Sequence, residues 1–175
     1  MSSKRAGEIM IPVEKYPHIP HWFTIRQAVA ELSKATIEVG GRISLPRALL
    51  VFDKDYHVVL GIVRRRDILR GLEPRFMKTT SASDGKSLFD IEIDPDLAEL
   101  SSGKIGQAML DQAEVLVSEI MQPVAESVSH DDHLAKVIYI MVSRDINLLP
   151  VLEEGKVIGV VRSVDVFEEI AEMIL

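Results

Sequence analysis

The sequence contains no cysteine, which excludes disulfides and thiolate chemistry. Aromatic residues make up only 5% of it, and Trp22 is the sole tryptophan; it is expected to anchor a loop by packing. No apolar run approaches the roughly 18–20 residues needed to cross a bilayer. The first residues, Met1 to Glu8, lack the apolar stretch of a secretory signal. A cytoplasmic protein without a membrane partner is the expectation. Positive charge is also short, with 20 Lys and Arg against 27 Asp and Glu, a net charge of −7. Such a chain is a poor match for nucleic acid. The excess is local, because residues 73–116 hold nine acids and four bases. There is no phosphate-cradling glycine loop and no nucleophile elbow, so an enzyme is not expected. His18 and His21 lie three apart, as do His130 and His133. A metal site needs three or four converging ligands, and no further acid or histidine is placed to complete one. Solvated histidines or helix caps are the expected roles.

What the sequence does contain is a repeat, which sets the architecture. Residues 59–69 read Val-Leu-Gly-Ile-Val-Arg-Arg-Arg-Asp-Ile-Leu, and residues 157–167 read Val-Ile-Gly-Val-Val-Arg-Ser-Val-Asp-Val-Phe. Gly61 matches Gly159, Arg64 matches Arg162 and Asp67 matches Asp165. Upstream, Glu8-Ile-Met-Ile-Pro-Val13 matches Glu119-Ile-Met-Gln-Pro-Val124. The first copy is the longer, with extra residues near Tyr16 to Trp22, read as a proline-broken loop, and around Gly40 to Ser44. The chain divides into unit 1 (residues 1–72), an acidic linker (73–116) and unit 2 (117–175).

Periodicity predicts the elements. Thr24 to Glu38 reads as an amphipathic helix capped by Thr24, with Ile25, Ala28, Val29 and Leu32 on one face. Its counterpart runs from about His133 to Ser143, capped by Asp131 or Asp132. Hairpins follow in both units: Ala48 to Phe52 with His57 to Val63, and Leu148 to Leu152 with Lys156 to Val161. A closing helix then starts near each aspartate, Asp67 to Leu72 and Val164 to Leu175. In the linker, Asp94-Pro95 can open a short helix, and Ile105, Met109 and Leu116 sit at near-helical spacing.

The ordered set of Ile-Met-x-Pro-Val, amphipathic helix, Leu148-Leu149-Pro150-Val151 strand and Gly-x-Val-x-x-x-Asp resembles the cystathionine β-synthase (CBS) domain. Its doubling resembles a CBS pair, or Bateman module. The first copy departs from the pattern at Ala48-Leu49-Leu50-Val51, which lacks the usual proline. The resemblance implies a mixed α/β (α+β) fold of two βαββα units packed through their sheets with pseudo-twofold symmetry. It also implies two clefts for an adenine nucleotide or related adenosyl compound (AMP, ADP, ATP or S-adenosylmethionine), a homodimeric disc, and a regulatory role toward an effector protein.

The repeated stretch supplies the candidate site residues. Unpaired N–H groups and the dipole at a helix start attract anions. The resemblance gives Asp67 and Asp165 the role of accepting a ribose diol; plain helix capping is the alternative. Members that bind nucleotides often carry Ser or Thr three residues before the aspartate. Here Arg64 and Arg162 stand there, with Ser163 one place later. Arg64, Arg65 and Arg66 crowd a helix start, where each cation is unfavourable by about 0.3–1 kcal/mol. Bidentate contact with a ligand phosphate would relieve this, as would pairing with carboxylates of the linker or of a second subunit. Adenine requires an apolar slot. Leu149, Pro150 and Val151 with Ile120 to Pro123 are candidates in one unit; Ile9 to Val13, including Pro12, and Leu50 to Phe52 are candidates in the other. Core packing is the competing role for each. The rival function is a structural, dimerising module with degenerate clefts, for which Val164, Phe167, Ile170, Ala171 and Ile174 supply an apolar helix face.

Overall fold

Every residue of Ala48–Phe52 is buried, and this strand shows how the molecule is layered. Leu49 and Val51 enter one apolar core, while Leu50 and Phe52 enter another. Side chains on a strand alternate between faces, so a strand covered on both sides reads as an unbroken apolar run. The computed structural model describes residues 4–74 and 102–175. In chain order the elements are α1 (Ala6–Ile9), β1 (Ile11–Pro12), a 3-10 turn (Val13–Lys15), β2 (His18–Pro20), α2 (Ile25–Lys34), β3 (Ile37–Val39), β4 (Arg42–Ser44), β5 (Ala48–Phe52), β6 (Val59–Arg64) and α3 (Arg65–Leu72). After the undescribed stretch come α4 (Ser102–Gln112), a 3-10 turn (Val117–Glu119), β7 (Gln122–Pro123), β8 (Val128–Ser129), α5 (Leu134–Arg144), β9 (Leu148–Glu153), β10 (Lys156–Arg162) and α6 (Ser163–Ile174).

Two four-stranded sheets have the same plan, β2-β5-β6-β7 and β8-β9-β10-β1. In each, a parallel pair is followed by two antiparallel pairs. The outer strand of each sheet comes from the opposite unit. β1, near the N-terminus, pairs with β10 of unit 2, and β7, at the start of unit 2, pairs with β6 of unit 1. Backbone bonds extend the exchange: Ala6 N–H donates to Asp132 C=O at 2.8 Å and Val117 N–H to Phe23 C=O at 2.8 Å. Three cores result. One lies beneath the helices of each sheet. The third joins Leu50, Phe52 and Val59 of one sheet to Ile11 and Val160 of the other, and includes Tyr16 and Ile37.

Local chemistry explains the helix starts. The Thr24 hydroxyl accepts from the Gln27 backbone N–H at 3.3 Å, and Gln27 Oε1 accepts from Thr24 N–H at 2.9 Å, a reciprocal capping box. Ile25, Ala28 and Leu32 are buried as expected, but Val29 is exposed. The N-cap of α5 is His133, not Asp131 or Asp132. Asp132 is committed elsewhere, accepting from Ser129 N–H and Lys136 Nζ, both at 2.8 Å.

Two other readings change. The proline-broken stretch contains β2, parallel to β5; proline is tolerated at its ends because β2 is an edge strand. Helix α2 stops at Lys34, since Ile37 begins a hairpin, β3–β4, turning at Gly40-Gly41. That hairpin accounts for most of the extra length of unit 1: residues 35–47 join α2 to β5, whereas only 145–147 join α5 to β9. Trp22 is 46% exposed and sits edge-on to His21, so it is no deep anchor. The helix expected at Asp94-Pro95 lies outside the described residues; Ile105 and Met109 do fall within α4.

Candidate functional site

The repeated glycine is where the two units meet. Gly61 lies opposite Pro123, and Gly159 lies opposite Pro12. A Cβ on Gly61 would sit 2.7 Å from Met121 Sδ and 2.8 Å from the Gln122 carbonyl oxygen. On Gly159 it would sit 2.6 Å from the Ile11 carbonyl oxygen and 2.8 Å from Met10 Sδ. Only glycine admits so close a backbone approach. The Ile-Met-x-Pro segment of one unit therefore serves the glycine of the other. It also carries Gln122 to Asp67, and sets Pro12 on the strand that ends before Asp165.

Asp67 occupies the third position of α3, its side chain wholly buried. Arg64 wraps it. The Arg64 backbone N–H and Nε each donate to Oδ2 at 2.9 Å, and Nη2 donates to Oδ1 at 3.1 Å. Gln122 Nε2, from the exchanged strand, donates to Oδ1 at 3.2 Å, and Arg70 Nη1 lies 3.8 Å away. A carboxylate offers about four lone-pair sites, and the four hydrogen bonds from Arg64 and Gln122 fill them. Burial pushes the Asp67 carboxyl up, but hydrogen bonds from the Arg64 side chain and backbone and its positive charge outweigh that, and the net shift is downward. The same hydrogen bond raises the Arg64 guanidinium. Beside the pair is a cleft of ≈220 Å³ lined by Asp67, Arg70 and Gly71 from α3 and by Glu119 to Gln122 from the other unit.

Asp165 repeats the arrangement at the start of α6. Arg162 Nε donates to Oδ2 at 2.8 Å, Nη2 to Oδ1 at 2.6 Å and the backbone N–H to Oδ2 at 3.3 Å. The hydrogen bond to Asp165 is the main cause of a raised Arg162 guanidinium. The surroundings differ, however. The residue matching Gln122 is Ile11, which has no donor to offer. Arg162 Nη1 instead donates to Ser44 Oγ at 3.0 Å, a contact with the β3–β4 hairpin. Tyr16 is buried nearby and its hydroxyl donates to the Ala48 carbonyl at 3.1 Å. Burial pushes its phenol up to about 12, with Arg162 drawing it down and Asp165 pushing it up.

The remaining candidates scatter. Arg65 and Arg66 are exposed, and their side chains form no ion pair with a described residue; the acidic linker that was an expected partner lies mostly outside the described residues. Ser163 opens α6, its N–H donating to the Asn147 carbonyl at 2.9 Å. Leu149 and Val151, expected at an adenine slot, have no exposure and pack in the core of unit 2. Pro150 pairs with Val160 and is buried. Sequence reasoning missed Ser44 and Arg70, and it had Gln122 only within the Ile120–Pro123 slot, not as a donor to Asp67. A signal existed for Gln122, the polar substitute in the second Ile-Met-x-Pro-Val; Ser44 had none, being in an insertion without a counterpart. Among the described residues no three His, Asp or Glu converge as a metal site, and no helix is long and apolar enough to cross a membrane.

This geometry has known counterparts. Residues 117–172 match the family model of the CBS domain. A CBS-domain protein of unknown function from Kribbella flavida is 16% identical, covering 97% of this chain and 99% of its own, with a TM-score of 0.66. CBSX2, solved in complex with AMP, is 16% identical over 97% of each chain, with a TM-score of 0.60. The cytosolic domain of the Mg2+ channel MgtE, solved with ATP, is 21% identical over 94% of this chain and 48% of its own, with a TM-score of 0.59. No curated protein matches the chain. Residues 117–172 thus match the CBS domain, and the chain as a whole shares the fold of CBS-domain structures.

Proposed function

We propose that this CBS pair is a regulatory module that binds an adenine nucleotide, or a related anionic adenosyl compound, in the Asp67 cleft and passes the change to a partner protein. The observation that carries the reading is the composition of that cleft. One wall comes from each unit, and a buried carboxylate is held under a half-exposed arginine. The two nucleotide-bound structures of the same fold support the choice of ligand class.

The filled lone pairs of Asp67 dictate the mechanism. A ribose diol gains this carboxylate only by displacing the Arg64 guanidinium, which then turns to the ligand phosphate. Arginine and aspartate exchange partners and neither charge is left bare, which would be costly. The cleft of ≈220 Å³ falls below the roughly 300 Å³ at which ligand pockets begin, so binding also widens it. Because Gln122 belongs to the other unit, its release from Asp67 couples ligand to the placing of the two units. The shift requires different affinities for the closed and widened states. Calorimetry and thermal shift with AMP, ADP, ATP and S-adenosylmethionine test this. At least one is expected to bind wild type and to lose affinity in Arg64→Ala; silence from all four ends the reading.

A second reading rests on a separate observation. Val164, Phe167 and Ile174 on α6 are exposed, as are Tyr139 and Val142 on α5. This apolar surface favours a self-associating module whose clefts stay locked by their own arginines, with a second copy of the chain as the occupant.

A further inference from the structure

We infer that the β3–β4 hairpin is a built-in cover over the Asp165 cleft, so that the two clefts of the pair are unequal and only the Asp67 cleft is open to a ligand. The inference rests on the proposed regulatory reading for the identity of the ligand, but the closure stands on its own contacts.

The internal repeat supplies the comparison. Both aspartates are wrapped by the arginine three residues before them, and both arginines make a bidentate contact. The two arginines differ in what lies over them. The Arg64 side chain is 52% exposed, and the Arg162 side chain is 13% exposed. Ser44 on β4 binds the one guanidinium nitrogen of Arg162 that Asp165 does not, and Arg42 on the same strand lies 3.4 Å from Glu168, one turn along α6. Strand β4 thus lies beside the start of α6, over the position a ligand phosphate would need.

The cover is anchored from its inner face. In the register of the hairpin, Ile37 lies opposite Ser44 and Val39 opposite Arg42, so all four share one side. Ile37 is buried in the core between the sheets, and Val39 packs against it. Lifting β4 from Arg162 would drag these apolar side chains toward water. Among the described residues nothing comparable covers Arg64, because residues 145–147 pass directly from α5 to β9. The insertion is therefore present in unit 1 but acts on the cleft at the aspartate of unit 2.

Labelling of the full chain with phenylglyoxal, an arginine-selective dicarbonyl, followed by peptide mass spectrometry reads the closure without any ligand. Arg64 is expected to react several-fold faster than Arg162 in wild type. In Arg42→Glu/Ser44→Ala, which leaves Ile37 and Val39 in place, the Arg162 rate is expected to rise several-fold while Arg64 is unchanged. Equal rates in wild type overturn the inference, and so does an unchanged Arg162 rate in a variant with native circular dichroism. The wild-type comparison decides the matter even if the variant does not fold. Added AMP separates the two claims. Protection of Arg64 alone supports both, and two AMP bound per wild-type chain overturns the closure. Protection of neither arginine removes the nucleotide reading and leaves the closure to be judged by the label.

Discussion

Asp67 and Arg64 lie three residues apart, yet the chemistry of the cleft depends on them together. A buried carboxylate is tolerated because every lone pair is met by a donor, and three of those donors belong to Arg64. Replacing the carboxylate by an amide removes the charge-assisted bonds. Asp67→Asn is expected to cost about 1–3 kcal/mol, toward the lower figure because half-exposed Arg64 is screened by water. The pH dependence follows from the direction of the shift. The Asp67 carboxyl is lowered in the folded state. Its contribution is therefore whole above the ordinary aspartate value of about 3.9 and is lost as pH falls through the lower folded value. Urea denaturation of wild type and Asp67→Asn at neutral pH and near pH 3 checks this. The gap should narrow on acidification; a constant gap would show that the carboxylate charge contributes nothing.

At the scale of the element, the most constrained feature is the exchange of outer strands. At Gly61 and Gly159 the exchanged backbone leaves no room for a Cβ. For Gly159→Ala, the new methyl meets the backbone oxygen of Ile11, which cannot rotate away, so β1 must shift. We expect a loss of about 1–3 kcal/mol, typical of overpacking, measured as a lowered midpoint in chemical denaturation. Wild-type stability would mean that β1 does not press on β10. Most elements were legible in the sequence because their causes are local. The apolar spacing of Ile25, Ala28 and Leu32, the Thr24–Gln27 box and the unbroken apolar run Ala48–Phe52 each act over a few residues. The hairpin at residues 37–44 was hidden by the continuous helical pattern running into it, and β2 by its prolines, which an edge strand accepts.

At the scale of the whole molecule, the sheets enclose a shared core and leave helices outside. The exposed apolar residues on α5 and α6 set an expectation for association. Phe167 is 70% exposed on that face, in a position where a second copy would bury it. Under the self-association reading, Phe167→Glu should convert a dimer to a monomer in sedimentation velocity without changing the circular dichroism. A wild-type chain that sediments as a monomer at micromolar concentration would rule that reading out.

The sequence by itself determined the repeat, the two units and the residues at each helix start, since motif, periodicity and caps are properties of neighbouring residues. It also placed arginine beside aspartate twice. Only the tertiary structure decided what those pairs do. It put Gln122 on Asp67 from 55 residues away and Ser44 on Arg162 from 118 residues away. It also sent the Ile-Met-x-Pro segment of each unit to the glycine of the other. These are contacts between strands brought together by folding, and no local pattern encodes which strand will lie beside which. The two arginine–aspartate pairs are alike in sequence and unlike in exposure, because an insertion in one unit lies against the arginine of the other.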